Sequence, residues 1–397
     1  MLSDWFHNDY LTLLEQVYHA SESGPIFPPM ANNMLINGKA DYQCNNTARA
    51  CTPNAGLASF AFKTGKKHLL RLINHSAEAI IFFSIDGYNM TVISNDFVSV
   101  EPYVTDLVVL GVGQRTEIIV QGRSNPEESV WMRITEGPSG LGPAGHTGCS
   151  LNDGKAYTTT AGIYYEEANQ NIQPNTTSKI DSSRYLFPQA CGNTDLSGTV
   201  PSYKMPISEP EKTLNFLMTG ADNATGEFVW YMNNITYQGD YNEPVFLDAL
   251  VGKTNFTKQR QVYDMGSAKS LRIVMTSVGF PASHPMHIHG HNMYVLAEGV
   301  GSWDGNIVNA DNPQRRDTQL IRPNGYLVIQ IDLDNPGMWP FHCHVAWHVS
   351  EGMNINILEQ TPSVQHDLHA PASIAQTCRD WWTWTGNNFV DQIDSGL

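Results

Sequence analysis

Two short segments near the C-terminal end hold half of the chain's 14 histidines and one of its cysteines. They read His284-Pro285-Met286-His287-Ile288-His289-Gly290-His291 and His342-Cys343-His344-Val345-Ala346-Trp347-His348. A lone histidine is more often a packed or surface residue than a ligand. Seven histidines around one thiol predict a metal centre, because imidazole and thiolate are ligands that zinc and copper take.

The spacing within these segments predicts where the ligands point. Side chains alternate faces along a strand, so residues i and i+2 project to the same side. His287 and His289 should therefore face one place, as should His342 and His344, while Cys343 faces the opposite side. One tripeptide can then reach two metal centres, which gives a short path for electrons.

On the cysteine side, the residues fit a blue copper site. Such a site needs two imidazoles and a thiolate, and His284 and His348 are the candidates that accompany Cys343. Met353 is placed to be a weak axial ligand, with an ordinary core methionine as the alternative. A closed zinc site also uses Cys and His, but it would leave four histidines without a role.

The elements that must position these residues look like strands. Short β-branched and aromatic runs, separated by turn residues, cover residues 69–73, 80–85, 90–93, 106–110, 117–120, 130–135, 213–218, 271–275, 293–297, 326–331 and 355–358. The polar residues 167–210 are predicted to form a linker. We expect an all-β protein with two tandem sandwich or barrel domains, residues 1–166 and 211–397, and the metal chemistry in the second.

Charge and glycosylation signals indicate the environment. The formal net charge of -16 disfavours nucleic-acid and membrane-surface partners. Seven N-x-S/T triplets favour a secreted glycoprotein; they begin at Asn45, Asn74, Asn89, Asn175, Asn223, Asn234 and Asn255. The opening Met1-Leu2-Ser3-Asp4-Trp5 lacks the features of a signal peptide, so we expect the natural protein to begin further upstream.

The remaining cysteines are odd in number. With Cys343 assigned to a metal, Cys44 with Cys51 and Cys149 with Cys191 are plausible disulfides across turn-rich loops. Cys378 is then left without a partner.

The two histidine segments resemble the third and fourth copper-binding motifs of multicopper oxidases. Asn335-Pro336-Gly337-Met338-Trp339-Pro340-Phe341 resembles the laccase approach to the cysteine, and Leu72-Ile73-Asn74 and Phe83-Ser84-Ile85-Asp86-Gly87 resemble the middle domain. The final Asp394-Ser395-Gly396-Leu397 resembles the processed tail of ascomycete laccases. The resemblance spans essentially the whole chain, and it implies two cupredoxin-like Greek-key domains, the second and third of a fungal laccase.

The same resemblance implies a role for each ligand. His284, Cys343 and His348 would hold a type 1 copper, with Met353 where ascomycete laccases commonly have Leu. His287 would bind a type 2 copper, and His289, His342 and His344 would bind a type 3 pair. The implied reaction is one-electron oxidation of phenols or aromatic amines, coupled to reduction of O₂ to water.

The resemblance also suggests a substrate-binding carboxylate. Glu78 precedes the predicted strand 80–85, where laccases place the carboxylate that hydrogen-bonds a phenol. A solvated loop glutamate is the alternative for Glu78.

The sequence departs from the family pattern in one respect, and this departure leaves other interpretations of its function open. The family cluster uses eight histidines, four of them from a first cupredoxin domain, and the histidines before His284 are isolated. We therefore expect that this N-terminal domain is missing. A non-catalytic module with one type 1 copper, and an enzyme similar to ferroxidases or ascorbate oxidases, are the other readings.

Overall fold

A computed structural model describes residues 1–18, 29, 31–46, 50–136, 139–140, 147–148, 158–181, 184, 191–279 and 282–386. The strands are β1 Leu2–Trp5, β2 Asn33–Ile36, β3 Ser59–Ala61, β4 Lys67–Ile73, β5 Ile81–Ile85, β6 Met90–Asn95, β7 Val98–Thr105, β8 Val108–Leu110, β9 Arg115–Gln121, β10 Ser129–Glu136, β11 Ser139–Gly140, β12 Thr147–Gly148, β13 Thr158–Tyr164, β14 Lys212–Asp222, β15 Phe228–Met232, β16 Val262–Asp264, β17 Ser270–Ser277, β18 His284–Ile288, β19 Met293–Val300, β20 Gln314–Arg316, β21 Thr318–Ile321, β22 Gly325–Asp332, β23 Gly337–Cys343 and β24 Asn354–Glu359. The helices are α1 Tyr10–Tyr18, α2 Val245–Leu250, α3 Ala346–Ser350, α4 Thr361–Asp367 and α5 Ala372–Thr385.

The first half of the chain (residues 1–181) forms two main sheets around one core. Their strand orders are β3-β13-β10-β5-β8 and β4-β9-β6-β7. Alternating burial along β10 shows why the sequence folds this way, since every second residue of Ser129–Glu136 is buried. The short pair β1-β2 adds Leu2, Met34 and Ile36 to the same core.

The second half (residues 191–386) repeats the arrangement with larger sheets, and it carries both histidine segments. The strand orders of these two sheets are β15-β14-β17-β22-β19-β20 and β16-β24-β23-β18-β21. Strands β18 and β23, which carry most of the predicted ligands, are antiparallel neighbours in the second of these sheets. On one side of these two strands Met286, Phe341 and Cys343 belong to the main core of this half, while His287 and His342 on the other side are partly exposed.

The two halves are in contact through apolar and polar residues. Ile80 and Phe82 of the first half share a buried cluster with Leu320 of β21. The Gln114 amide donates to the Thr318 carbonyl at 2.8 Å across the same boundary. The first half is thereby fixed to β21, which is the antiparallel neighbour of β18.

These findings confirm the expected all-β class, and every predicted strand segment overlaps a strand. β13 ends at Tyr164 and β14 begins at Lys212, with the expected linker of residues 167–210 between them. The division into domains at residues 166 and 211 stays a prediction. Five helices among the described residues were not predicted, and α1 and α5 are the longest of them.

The cysteines and one glycosylation triplet can be compared directly with expectation. Cys44 and Cys51 form the predicted disulfide, and Cys378 is free. Cys191 is disulfide-bonded, while Cys149, its predicted partner, lies outside the described residues. Asn74 is buried and its amide donates to two carbonyls, so the expectation of a glycan acceptor is wrong for Asn74.

Among the described residues, none of the helices has the length and apolar character needed to cross a bilayer.

Candidate metal centre

Three buried side chains of the second half meet with their ligand atoms in a small triangle. His284 begins β18, Cys343 ends β23, and His348 lies in α3. The two Nδ1 atoms are 3.1 Å apart, and the Cys343 Sγ lies 3.8 Å from His284 Nδ1 and 3.3 Å from His348 Nδ1. The sequence predicted this trio, and the fold brings it together from residues as far as 64 positions apart.

The triangle has the size and chemistry that a metal ion requires. A point equidistant from the three ligand atoms lies about 2.0 Å from each, close to ordinary metal–imidazole and metal–thiolate bond lengths. Two imidazoles and one thiol are the donor set of a blue copper site. The donor atoms thus match a copper ion in number, type and spacing.

Burial sets the protonation of these three side chains. It lowers the pKa of His284 to about 3 and the pKa of His348 well below its usual value, so both imidazoles keep a free lone pair at neutral pH. Burial also raises the pKa of the Cys343 thiol, so metal binding must displace a proton from sulfur.

A buried tryptophan, itself held by a glutamate, covers one side of the two imidazoles. The Trp230 ring lies 4.7 Å from the His284 ring and 4.9 Å from the His348 ring, measured between centroids. Its Nε1 donates to the Glu351 carboxylate at 3.0 Å, and burial raises the pKa of Glu351 well above its usual value. These contacts exclude water from one side of the site.

Met353 is fully buried next to this trio. Its carbonyl accepts from the Cys343 N–H at 3.2 Å, and its own N–H donates to the His348 carbonyl at 2.9 Å. The backbone of Met353 is therefore fixed to those of Cys343 and His348. These contacts are compatible with an axial role and with the core-methionine alternative.

Four further histidines form a second cluster on the other face of β18 and β23. His287 and His342 are directly paired across these strands, and their ring centroids lie 5.6 Å apart. His289 Nε2 lies 3.0 Å from His342 Nε2, and the His344 ring lies 5.5 Å from that of His287. The strand alternation thus places Cys343 and its two neighbours at different sites.

Hydrogen bonds orient two rings of this cluster. His342 Nδ1 donates to the Cys343 carbonyl at 2.7 Å, and His287 Nδ1 donates to the Asp317 carbonyl at 2.8 Å. Each bond uses one ring nitrogen and leaves Nε2 available as a ligand. Burial lowers the pKa of both imidazoles, to about 3 for His342, which keeps them neutral.

His291, the last histidine of the first segment, lies away from the cluster. Its Nε2 lies 3.2 Å from a Glu359 carboxylate oxygen, and its Nδ1 lies 3.0 Å from the His289 carbonyl. Burial alone would lower its pKa, but the hydrogen bonds to Glu359 and to the His289 carbonyl, together with the nearby charges of Glu359 and Asp334, raise it. The contact with Glu359 gives His291 a partner other than a metal, which agrees with its absence from the predicted ligands.

Glu78 lies beside α3 at the contact between the two halves. Its carboxylate accepts from Trp347 Nε1 at 3.2 Å, and Trp347 directly precedes His348. Glu78 is only 8% exposed, so the alternative of a solvated loop glutamate is wrong. Burial, together with the nearby Glu136 and Asp4, raises the pKa of Glu78 well above its usual value.

Several residues of this site were missed by sequence reasoning. The Asp4 carboxylate accepts the backbone N–H groups of residues 77–79 and so fixes the loop that carries Glu78. Tyr10 stacks on the Trp347 ring, with centroids 5.5 Å apart and planes 11° apart. No local motif marks these residues, because each acts through a partner that is distant in sequence.

The chain is similar to known proteins in both sequence and fold. Two family models, both described as multicopper oxidase, match residues 1–168 and 220–363. Laccase-3 of Botryotinia fuckeliana is 30% identical over 374 residues, which cover 89% of this chain and 76% of that protein. Oxidoreductase OpS5 of Beauveria bassiana is 32% identical over 411 residues, which cover 100% of this chain and 65% of that protein.

Solved structures of similar fold also include a laccase. The crystal structure of the laccase from Botrytis aclada matches with a TM-score of 0.83 and 27% identity, covering 100% of this chain and 70% of that one. The first relatives in sequence are longer, since this chain spans 65% of their length. The likeness extends over both halves of the chain and includes the tandem cupredoxin-like architecture.

Proposed function

The chain belongs to the multicopper oxidase family, and on that basis we propose that it oxidises phenols or aromatic amines one electron at a time, with the chemistry of a laccase. The triangle of His284, Cys343 and His348 carries this proposal, because its donor set and size suit a type 1 copper. Met353 would be the axial ligand. Copper, when bound there, supplies a centre that accepts one electron at a time.

The substrate site that we propose lies where Glu78 and Trp347 meet. The buried Glu78 carboxylate accepts a hydrogen bond from Trp347, next to the ligand His348. A phenol that loses an electron becomes strongly acidic, so a carboxylate within hydrogen-bonding reach removes its proton. Because the pKa of Glu78 is raised, phenol oxidation should speed up as pH rises and this carboxyl ionises.

The second cluster would contribute to O₂ reduction. We assign His287 to a type 2 copper and His289, His342 and His344 to a type 3 pair. The 3.0 Å approach of His289 Nε2 to His342 Nε2 supports this assignment, as do the Nδ1 hydrogen bonds of His287 and His342, which leave Nε2 as the nitrogen that could bind a metal. In the whole protein, four one-electron oxidations would reduce one O₂ to two waters.

Secretion is the remaining part of the proposal. The side chains of Asn89, Asn175, Asn234 and Asn255 are exposed, as glycan acceptors must be. Expression in a fungal host should yield glycosylated protein in the medium, and a glycosidase should then lower its mass.

Spectroscopy of the copper-loaded chain tests the copper site. A blue absorption band and one type 1 copper signal are expected, and Cys343→Ser should remove the band while leaving the fold intact. A wild-type chain that folds, binds copper and shows no blue band would contradict the assignment of Cys343.

Stopped-flow bleaching of that band tests the substrate site. Glu78→Gln should slow bleaching by a phenol about 10²- to 10⁴-fold, the usual contribution of a general base. Ferrocyanide, which carries no proton to lose, should bleach both proteins at similar rates. Equal phenol rates in both proteins would exclude Glu78 as the base.

A further inference from the structure

The His287 ring is oriented by the junction between β20 and β21, and that junction is held from the first half of the chain. His287 Nδ1 donates to the Asp317 carbonyl at 2.8 Å, and the Thr318 hydroxyl oxygen lies 3.0 Å from the same nitrogen. The Thr318 hydroxyl donates its own proton to the Asp317 carboxylate at 2.9 Å. Its oxygen can therefore only accept from His287, which makes the chain of bonds run in one direction.

Arg115, the first residue of β9, fixes the Asp317 carboxylate. Its two Nη atoms donate to the two carboxylate oxygens at 2.7 and 2.6 Å, which is a bidentate pair. Both side chains are less than one fifth exposed. Arg115 also donates to the Gly113 carbonyl at 3.0 Å, so its guanidinium is held on the first-half side as well.

A second ion pair fixes the neighbouring position of the same junction. Arg316 Nε donates to the Asp96 carboxylate at 2.7 Å, and both side chains are buried. The other oxygen of Asp96 accepts the backbone N–H of Arg115 at 2.7 Å. Consecutive residues of the junction, Arg316 and Asp317, thus pair with the first half through one connected network.

The network also keeps a carboxylate away from the imidazole. Asp317 Oδ1 lies 3.7 Å from His287 Nδ1, and a free carboxylate at this distance could turn to accept directly from the ring. Bidentate pairing with Arg115 occupies both oxygens and leaves the backbone carbonyl as the near acceptor. The ring is then held among the other three histidines, with centroid distances of 4.9, 5.6 and 5.5 Å.

We propose that Arg115 is a positioning residue for His287, and that it acts by holding the Asp317 carboxylate so that the Asp317 backbone carbonyl, and not the carboxylate, accepts from the imidazole. The inference rests on the proposed function only for the role of His287 as a copper ligand. The second half of the chain would then supply all four histidines of the cluster, while the first half would set the orientation of His287. Groups that orient ligands in this way commonly contribute 10- to 100-fold to metal affinity.

The first measurement needs no copper. In the metal-free full chain with ¹⁵N-labelled histidine, the His287 Nδ1–H should exchange slowly with water, and a His287→Gln variant assigns its signal. Arg115→Met and Asp317→Asn should each speed this exchange at least about tenfold. Arg71→Met is the matched control, because Arg71 pairs with Glu117 on a neighbouring, more exposed part of the same sheet.

The second measurement is the Cu(II) affinity of the four-histidine cluster, followed by its non-blue EPR signal. Arg115→Met and Asp317→Asn should each lower it about 10- to 100-fold and leave the blue copper signal unchanged. The double variant should be no weaker than either single one, since both act through one contact. Arg115→Lys, which keeps the charge but not the bidentate pair, should be intermediate.

The outcomes separate this inference from the proposed function. Additive losses in the double variant, or exchange and affinity equal to those of Arg71→Met, would overturn the role of Arg115. Should Arg115→Met fail to fold, Asp317→Asn and Arg115→Lys decide by the same criteria. Absence of a blue signal in the copper-loaded wild-type chain would count against the copper assignment alone, because the exchange measurement is made on the metal-free chain and does not depend on copper.

Discussion

Gly113 of the first half lies directly against His344 of the four-histidine cluster, so Gly113→Ala should disturb that contact strongly. A Cβ atom on Gly113 would lie 2.6 Å from Cδ2, 2.9 Å from Nε2 and 3.0 Å from Cγ of His344. These distances are shorter than van der Waals contact, so either the ring or the loop must move. Gly113 also has a φ of +84°, which disfavours any residue with a side chain.

Gly56→Ala provides a control for the backbone part of this effect. Gly56 has nearly the same φ, +85°, but no atom lies within 4 Å of its added Cβ. Each substitution should therefore cost about 1–2 kcal/mol for the left-handed backbone. Gly113→Ala should cost a further 1–3 kcal/mol, roughly what overpacking costs in a close-packed interior.

Two assays on the same variants would measure these effects. Urea unfolding of the metal-free chain should show Gly113→Ala to be less stable than Gly56→Ala by that further amount. The Cu(II) affinity of the four-histidine cluster should fall in Gly113→Ala alone, because the displaced atoms include Nε2 of His344. Equal losses of stability in both variants, with unchanged copper affinity, would refute the close contact between Gly113 and His344.

Four other predictions follow from the same structure. The copper-loaded chain by itself should hold one blue copper and show background O₂ uptake with a phenol, because only four of the family's eight cluster histidines lie together in the described part of the chain; robust uptake would contradict this. Met353→Leu should raise the reduction potential of the blue copper, since a thioether stabilises the oxidised ion, at a packing cost below about 1.5 kcal/mol; a redox titration with an unchanged or lower potential would return Met353 to core packing. Cys378 should react with a thiol reagent in the folded chain, and mass spectrometry that finds it in a disulfide would contradict this. The pKa of the Glu78 carboxyl is raised in the folded state, so protonated Glu78 contributes fully to the free energy of unfolding below its unfolded pKa of about 4.3, and this contribution is lost as pH rises through the folded pKa. In urea titrations of the metal-free chain, Glu78→Gln should therefore become more stable relative to wild type as pH rises. A stability difference that does not change with pH would contradict the shift.

The sequence was sufficient to predict the strands and which candidate ligands face the same side of a strand. Alternation along β18 and β23 depends only on strand geometry, so the separation of Cys343 from His342 and His344 could be predicted before the fold was known. The Cys44–Cys51 disulfide was predictable because its two cysteines are only seven positions apart in the sequence. These features are local, and local patterns carry them.

The surroundings of the ligands could not be predicted in this way. Trp230 meets Glu351 across 121 positions, and Arg115 meets Asp317 across 202 positions. Each of these residues, considered alone, is an ordinary strand or loop residue. Their roles arise from pairings between distant segments, and a single sequence contains no periodicity that specifies such pairs. Asn74 shows the same limit, because its triplet motif gives no sign that the side chain is buried.

The alternation along β23 also explains why the two candidate sites must occur together. The cross-strand pairs Met286 with Cys343 and His287 with His342 fix the register of β18 against β23. A shift of one residue in this register would exchange the two faces and move His342 into the core while exposing the thiol to the histidine cluster. The apolar core around Cys343 resists such a shift, because it would bury polar imidazoles without partners. Packing on the thiol side therefore maintains the geometry of the histidine side, and the short covalent connection between the sites is a consequence of the strand itself.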